Sequence, residues 1–348
     1  MKHYKILVLL ILITSGLVFG QDATKVNPLF SSDDILEIRL VMDVEKVIKD
    51  IEVRDEHEAK FTYKEADGSE KSFDIKVVVR GKTRTNIKVC KFPPLKLNFK
   101  KKQVKNSLFA GQNKLKLVTH CNTKDINEEY IIREYYVYKL HQLVTPFSFR
   151  VRLCKVIYED TAGDFDPIAH YGILIEDIDD LAARNDMVEF ERKIPNQEVC
   201  ERLELDRTML FQYLVGNLDF SVPKRHNFKL VADSVKPQPV AVPYDFDYTG
   251  LVNTSYAKPP PDLEVASVRV RVFRGLCRQA GGYDDAINHF KMLKPEIYDL
   301  YKNSPYLSEK SIAQASKFID GFYKVIDNPK SVNQKIVKAC RANHKHMY

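Results

Sequence analysis

From residue 34 to residue 99 apolar and polar positions alternate in short runs, the period of half-buried strands. Residues 60–80 (KFTYKEADGSEKSFDIKVVVR) read as two strands around Asp67-Gly68, a dipeptide suited to a tight hairpin turn. In PPLKLNFK (93–100), Leu95, Leu97 and Phe99 alternate with Lys96, Asn98 and Lys100, so Lys96 belongs on the polar face of a strand. At 127–143 the period changes. NEEYIIREYYVYKLHQL sets Tyr130, Ile131, Glu134, Tyr135, Tyr138 and Leu143 near helical spacing, with Pro146 beyond, and Glu134 falls on or beside the apolar face. RVRLCKVIYED (150–160) and HYGILIED (170–177) predict a strand pair, and CERLELDRTMLFQYLVG (200–216) predicts a helix ended by Gly216. Two short strands follow in NFKLVA and PVAVPYDF, and from Asp284 onward the pattern is helical, broken at Pro305 and Pro329. A strand-rich first part with one helix, then a helix-rich second part, describes a two-lobed α+β architecture joined near 176–200.

Composition adds little to this picture and the N-terminus adds more. Hydrophobic content of 44% and charged content of 29% are those of an ordinary globular protein. A basic MKHYK precedes the apolar ILVLLILITSGLVF and then Gly20, the layout of a secretory signal over 1–20. The apolar run is shorter than the roughly 20 residues of a membrane span, so no stable span is expected after cleavage. The division expected is therefore a signal peptide at 1–20, a β-rich lobe at 21–175 and a helical lobe at 176–348, in a protein that is secreted or otherwise extracytoplasmic. Loss of Lys2 and Lys5 would take the formal charge from +7 to about +5, too mild for a nucleic-acid binder. The six cysteines form no CxxC pair, which gives no support to a zinc site; export permits disulfides, whose pairing the spacing does not give.

The chemistry concentrates in two stretches. LVGNLDFSVPKRHNFKLV (214–231) places Asp219 between a helix and a strand, with Asn227 eight residues later, and VPYDFDYTG (242–250) puts Asp245 and Asp247 at the end of the next strand. This order can bring an isolated carboxylate, an amide and a carboxylate pair together. Phosphoryl transfer uses such a set: one carboxylate orients the attacking hydroxyl, while an amide oxygen and other carboxylates hold Mg²⁺. Singly, each residue has a structural reading, as a turn cap or a solvated loop acid. There is no G-x-S-x-G for a serine hydrolase and no H-E-x-x-H for a metallohydrolase.

These stretches resemble, in order, the spore-coat protein H (CotH) family of atypical secreted kinases. VVVRGKTRTNIKVCKFPPLKLNF is similar to its Arg-Gly segment and lysine-bearing strand, NEEYIIREYYVYKL to the helix that follows, and HYGILIEDIDD to its Gly-x-x-x-x-Glu strand. LVGNLDFSVPKRHN resembles the Asn-x-Asp loop with its later Asn, and VPYDFDYTG the Pro-aromatic-Asp-x-Asp segment; these two are the most specific, and the likeness covers roughly residues 70–260. The resemblance implies a protein-kinase-like fold with a β-rich N-lobe and a mainly helical C-lobe, using ATP with Mg²⁺ or Mn²⁺. It implies Asp219 as the catalytic residue, and Asn227, Asp245 and Asp247 as metal ligands. Lys96 would contact the phosphates, with Lys91 as the alternative, and Glu134 would pair with that lysine. Glu176 would lie near the nucleotide, and Arg80 in the loop over the phosphates. The acceptor implied is a hydroxyl of a secreted or cell-surface protein, Ser or Thr before Tyr.

The chain departs from better-known kinases in having no G-x-G-x-x-G, H-R-D or D-F-G. Only Gly81 lies in the expected phosphate loop, so Arg80, Lys82, Thr83 and Arg84 would have to assist. The competing readings are a non-catalytic surface-binding or structural protein, and a different nucleotide-dependent transferase.

Overall fold

The computed structural model describes residues 27–164, 166–235 and 238–342; the expected signal segment lies outside them. Seven strands make up the first half: β1 (Leu36–Met42), β2 (His57–Lys64), β3 (Glu70–Val79), β4 (Leu95–Asn98), β5 (Lys114–Val118), β6 (Val151–Asp160) and β7 (Ile168–Ile175). Their order, β1-β2-β3-β4-β5-β7-β6, closes on itself. Closure comes from a parallel pairing of β1 with β6, in register from Leu36↔Cys154 to Met42↔Asp160; the other neighbours are antiparallel.

One set of alternate side chains fills the barrel. Leu36, Ile38, Leu40 and Met42 from β1, Leu95 and Leu97 from β4, and Leu115 and Leu117 from β5 are buried there, together with Phe61, Phe99 and Phe109 in mutual ring contact. Short helices α1 (Val44–Lys49) and α2 (Lys101–Val104) lie on the connections.

This architecture corrects the expected two-lobed, protein-kinase-like fold. The β-rich part is a closed seven-stranded mixed barrel with its own core, not an open N-lobe sheet. The physical reason is the β1–β6 pair: a closed sheet has no free edge, and a parallel pairing between distant segments leaves no local signature in the chain.

The outer face of the barrel meets the rest of the chain. Val118, Val151, Leu153, Ile173 and Ile175 join a second core with α3 (Asp125–Val144), α4 (Ile178–Arg184) and α5 (Arg202–Val215). A small sheet of β8 (Val188–Glu189), β9 (Phe228–Ala232) and β10 (Val240–Pro243), ordered β10-β9-β8, packs into the same core, as do α6 (Asp284–Met292), α7 (Lys294–Lys302) and α8 (Glu309–Ile326). Disulfides join Cys90 to Cys121 and Cys277 to Cys340, while Cys154 and Cys200 are buried free thiols. Among the described residues no helix is long and apolar enough to cross a membrane.

Candidate functional site

Helix α5 stops at Gly216, whose φ of 66° is left-handed and whose N–H donates to the Gln212 and Tyr213 carbonyls. A Cβ there would come within 2.9 Å of the Phe318 ring, so this position has both a conformational and a packing reason for glycine. The following turn is made by Asn217, whose Oδ1 accepts the Asp219 N–H at 2.9 Å. Asn217 therefore performs the turn-capping duty and leaves the Asp219 carboxylate available.

That carboxylate is held from its own loop. His226 Nε2 lies 2.8 Å from Asp219 Oδ1, and Asn227 Nδ2 donates to the Asp219 main-chain oxygen at 2.8 Å and to Oδ2 at 3.2 Å. A bridge between Ser221 and His226 narrows the loop, and Arg225 donates to the carbonyls of Phe190 and Arg192, both at 2.6 Å. Arg225 is thus a strut of the loop, and Lys224 beside it is exposed.

The second acidic segment arrives through strand pairing. Phe228 opposes Pro243, and the Tyr244 N–H donates to the Asn227 carbonyl at 3.1 Å, so Asp245 leaves β10 beside the end of the Asp219 loop. Helix α3 fixes the turn that follows: Tyr138 Oη accepts the Asp245 N–H at 2.9 Å, and Glu134 Oε1 accepts the Phe246 N–H at 3.4 Å. Asp247 is buried and accepts the Tyr256 hydroxyl at 3.0 Å. Arg225, Asn227 and Asp245 all have positive φ, 52°, 55° and 67°, a concentration of unfavourable non-glycine backbone that surrounding contacts must hold.

One cleft of about 270 Å³ is lined by Asp219, His226, Asn227, Tyr244, Asp245, Asp247 and Tyr248 on one side, and by Pro94, Val118 and the run from Arg80 to Arg84 on the other. Gly81 adopts φ +98° at the bend of that run. Of the residues singled out in the sequence, Asp219, Asn227, Asp245, Asp247 and Arg80 meet here. Glu134 lies beside them, 1% exposed.

The electrostatics are those of crowded acid. Burial, and then the charges of Asp247 and Asp245, push the Glu134 carboxyl well above the usual range, against the pull of Arg84. Burial and Asp245 push Asp247 up to about 7, opposed by Arg84 and the Tyr256 hydroxyl. Burial works against the Arg84 charge, but Tyr256, Asp247, Glu134 and Asp245 together hold its pKa above the ordinary value.

Two sequence-derived assignments fall elsewhere. Lys96 does not line the cleft and makes no ion pair with Glu134; the cation facing Glu134 is Arg84. Lys91 is exposed, with its N–H donating to the Cys121 carbonyl at 3.0 Å. Glu176 is fully buried, accepting Arg184 Nε at 2.9 Å and Nη2 at 3.0 Å and the Arg150 N–H at 2.9 Å, so it clamps the barrel's last strand to α4.

A second lysine, Lys116, does not line the cleft but lies against one of its residues. It sits directly opposite Lys96 across β4 and β5, with its Nζ 5.9 Å from the Phe149 ring centre and 5.8 Å from that of Tyr244, a cleft residue. Burial, then Arg80, lowers its pKa to about 8. The alternation in KLKLV (114–118) was the available signal.

Among the described residues no group of three or more His, Cys, Asp or Glu side chains is arranged as a metal site. The cleft instead offers the oxygen donors of Asp245 and Asp247 and the amide oxygen of Asn227, whose Nδ2 is engaged by Asp219. Hard oxygens in an acid-rich, buried setting suit a divalent cation that also takes oxygens from water and phosphate. No protein-family model matches the chain, and no curated protein matches it. Its function must be read from the cleft.

Proposed function

We propose that the protein is a metal-dependent phosphotransferase that moves the γ-phosphoryl group of ATP to a Ser or Thr hydroxyl of an exported or cell-surface protein. The observation that carries this reading is the cleft itself: Asp219, Asn227, Asp245 and Asp247 converge opposite a basic loop running from Arg80 to Arg84. The reading rests on the site and not on a shared fold.

Asp219 receives and orients the acceptor hydroxyl, and its carboxylate is held by His226 and Asn227. The hydroxyl oxygen forms the new bond to the γ-phosphorus as the bond to the β–γ bridging oxygen breaks. ADP leaves with that electron pair, and the hydroxyl proton passes to Asp219 and then to solvent. Arg80 and Lys82 face the triphosphate as cationic donors. Mg²⁺ or Mn²⁺ would be held by Asp245, Asp247 and Asn227 Oδ1, and when bound supplies neutralisation of phosphate charge. The two disulfides agree with an oxidising compartment and with an exported acceptor.

Incubation with ATP labelled at the γ-phosphate, with and without Mg²⁺, tests the reading. The expected result is metal-dependent label on protein that Asp219→Ala removes. Equal labelling by the variant overturns the assignment of Asp219. Label incorporated only from the α-phosphate overturns phosphoryl transfer in favour of nucleotidyl transfer.

A further inference from the structure

The cleft holds one cation that no part of the proposed transfer uses. Arg84 is 7% exposed, in the loop that lines the cleft across from Asp245 and Asp247. Its side chain is fixed from behind: Nη2 donates to the Thr119 carbonyl, and the same segment is tied to the end of β5 by the Cys90–Cys121 disulfide. Its Nε is buried with no hydrogen-bond partner. Glu134, Asp245 and Asp247 all act on it electrostatically, yet it makes no ion pair with any of them. A buried guanidinium set this way is neither a surface contact nor one half of a closed salt bridge.

Two features follow from chemistry alone. A guanidinium stays protonated at any pH at which the protein is folded, so this is a permanent positive charge. It is also anchored, since its Nη2 donates to the Thr119 carbonyl. Ionised carboxylates attract cations, and protein-kinase sites hold two Mg²⁺ ions on an Asp and an Asn. Here the protein itself supplies one fixed positive charge in the cleft that Asp245 and Asp247 line.

We propose that Arg84 is a built-in counter-ion that takes the place of a second metal, so that the cleft binds a single divalent cation with its nucleotide. This rests on the phosphotransferase reading above. A second dication would have to approach acids already shared with a fixed guanidinium, and it would meet repulsion from Arg84 as well as from the first ion. A guanidinium that lines the cleft also offers charged N–H donors to an anionic oxygen of the nucleotide.

Mn²⁺ binding, followed by electron paramagnetic resonance in the presence of a non-hydrolysable ATP analogue, tests this on the full chain. Counts are taken against the analogue alone. The native protein is expected to bind one Mn²⁺ per chain. Arg84→Gln is expected to bind two, or to bind the first about tenfold more tightly, and Arg84→Lys, which keeps the charge, to bind one. Two Mn²⁺ in the native protein overturns the counter-ion proposal while leaving the phosphotransferase reading intact, and it does so even where a variant fails to fold. Native-like number and affinity in a folded Arg84→Gln also overturn it. No protein-bound Mn²⁺ with the analogue overturns this proposal and the metal-dependent reading beneath it together.

Discussion

Asn227 Nδ2 donates both to the main-chain oxygen of Asp219 and to its carboxylate, at 2.8 and 3.2 Å, from a backbone with φ of 55°. The residue thus has a conformational duty and a chemical one, and substitution can separate them. Asn227→Gly accepts the positive φ and removes the amide. It should unfold within about 1 kcal/mol of the native protein in urea, the scale of a net hydrogen bond. Phosphate transfer should fall by about 10²-fold, as for a disturbed general base. Asn227→Val should lose transfer and also cost about 1–3 kcal/mol of stability, because a β-branched residue is strained there. Native-rate transfer by the glycine variant would leave Asn227 only its backbone role.

The acids around Asp247 give stability a pH dependence whose sign can be worked out. An ordinary aspartate titrates at 3.8, and in the fold Asp247 is pushed up to about 7. Between those values the folded chain holds a proton that the unfolded chain has released. The contribution of this group is therefore greatest at acid pH, is lost as pH rises from about 4 to about 7, and is constant above. Glu134 shifts in the same direction, from the same burial and crowding. A cation binds the ionised acids, so Mg²⁺ should raise the melting temperature more at pH 8 than at pH 5. Asp247→Asn should reduce that difference. An equal response to Mg²⁺ at both pH values would place the cation elsewhere.

Lys116 should show a conflict between stability and binding. Its pKa is lowered from 10.5 to about 8, so between these values the unfolded chain binds a proton that the folded chain does not. Stability from this group rises with pH across that window, and at pH 7 a partly desolvated charge is a cost. Lys116→Met should melt higher than the native protein at pH 7 while binding ATP more weakly, and Lys96→Met should leave ATP affinity unchanged. A Lys96 variant that loses binding while Lys116→Met retains it would reverse the assignment.

These two lysines show where local sequence pattern stops being informative. Asp219 and Asn227 share one short loop, and Asp245 follows at the end of a strand paired with the next, so their meeting depends on a turn and a hairpin. Such relations are legible in a sequence. The lysine depends on which strand lies beside which: β5 inserts between β4 and β7 and carries Lys116 toward Tyr244. The barrel depends on Leu36 meeting Cys154, a parallel contact with no local signal. The spacing of 127–143 predicts Glu134 near the apolar face of its helix, as found, but the cation that acts on it, Arg84, comes from a loop rather than a strand. The resemblance implies a place near the nucleotide for Glu176, whereas its carboxylate is taken up by Arg184 on the next helix.

The Glu176–Arg184 clamp predicts a purely structural phenotype. Both side chains are almost completely inaccessible, and their contact is bidentate. Removing one partner leaves a buried charge uncompensated, so Arg184→Ala should cost about 3–5 kcal/mol in equilibrium unfolding. Whatever fraction folds should bind ATP with native affinity. Weakened nucleotide binding in a stably folded variant would restore Glu176 to the site.

The two disulfides should differ in consequence although both close long loops. Each constrains the unfolded chain and on that ground contributes about 3–4 kcal/mol, so both pairs of serine substitutions should lower the melting temperature. Only Cys90–Cys121 bears on the cleft. It ties the segment after Arg80–Arg84 to the end of β5, beside the Thr119 carbonyl that receives Arg84. Without it the basic loop must be ordered when phosphate binds, and that ordering is taken from the binding free energy. The Cys90→Ser, Cys121→Ser protein should therefore bind ATP on the order of tenfold more weakly, a change of about 1.4 kcal/mol. Cys277 and Cys340 do not line the cleft, and their double serine variant should bind ATP as the native protein does at a temperature where both are folded. Calorimetric titration of the two variants side by side separates a local effect on the loop from a general loss of stability. Equal affinity in both would mean that the loop is held by Arg84 and its neighbours alone.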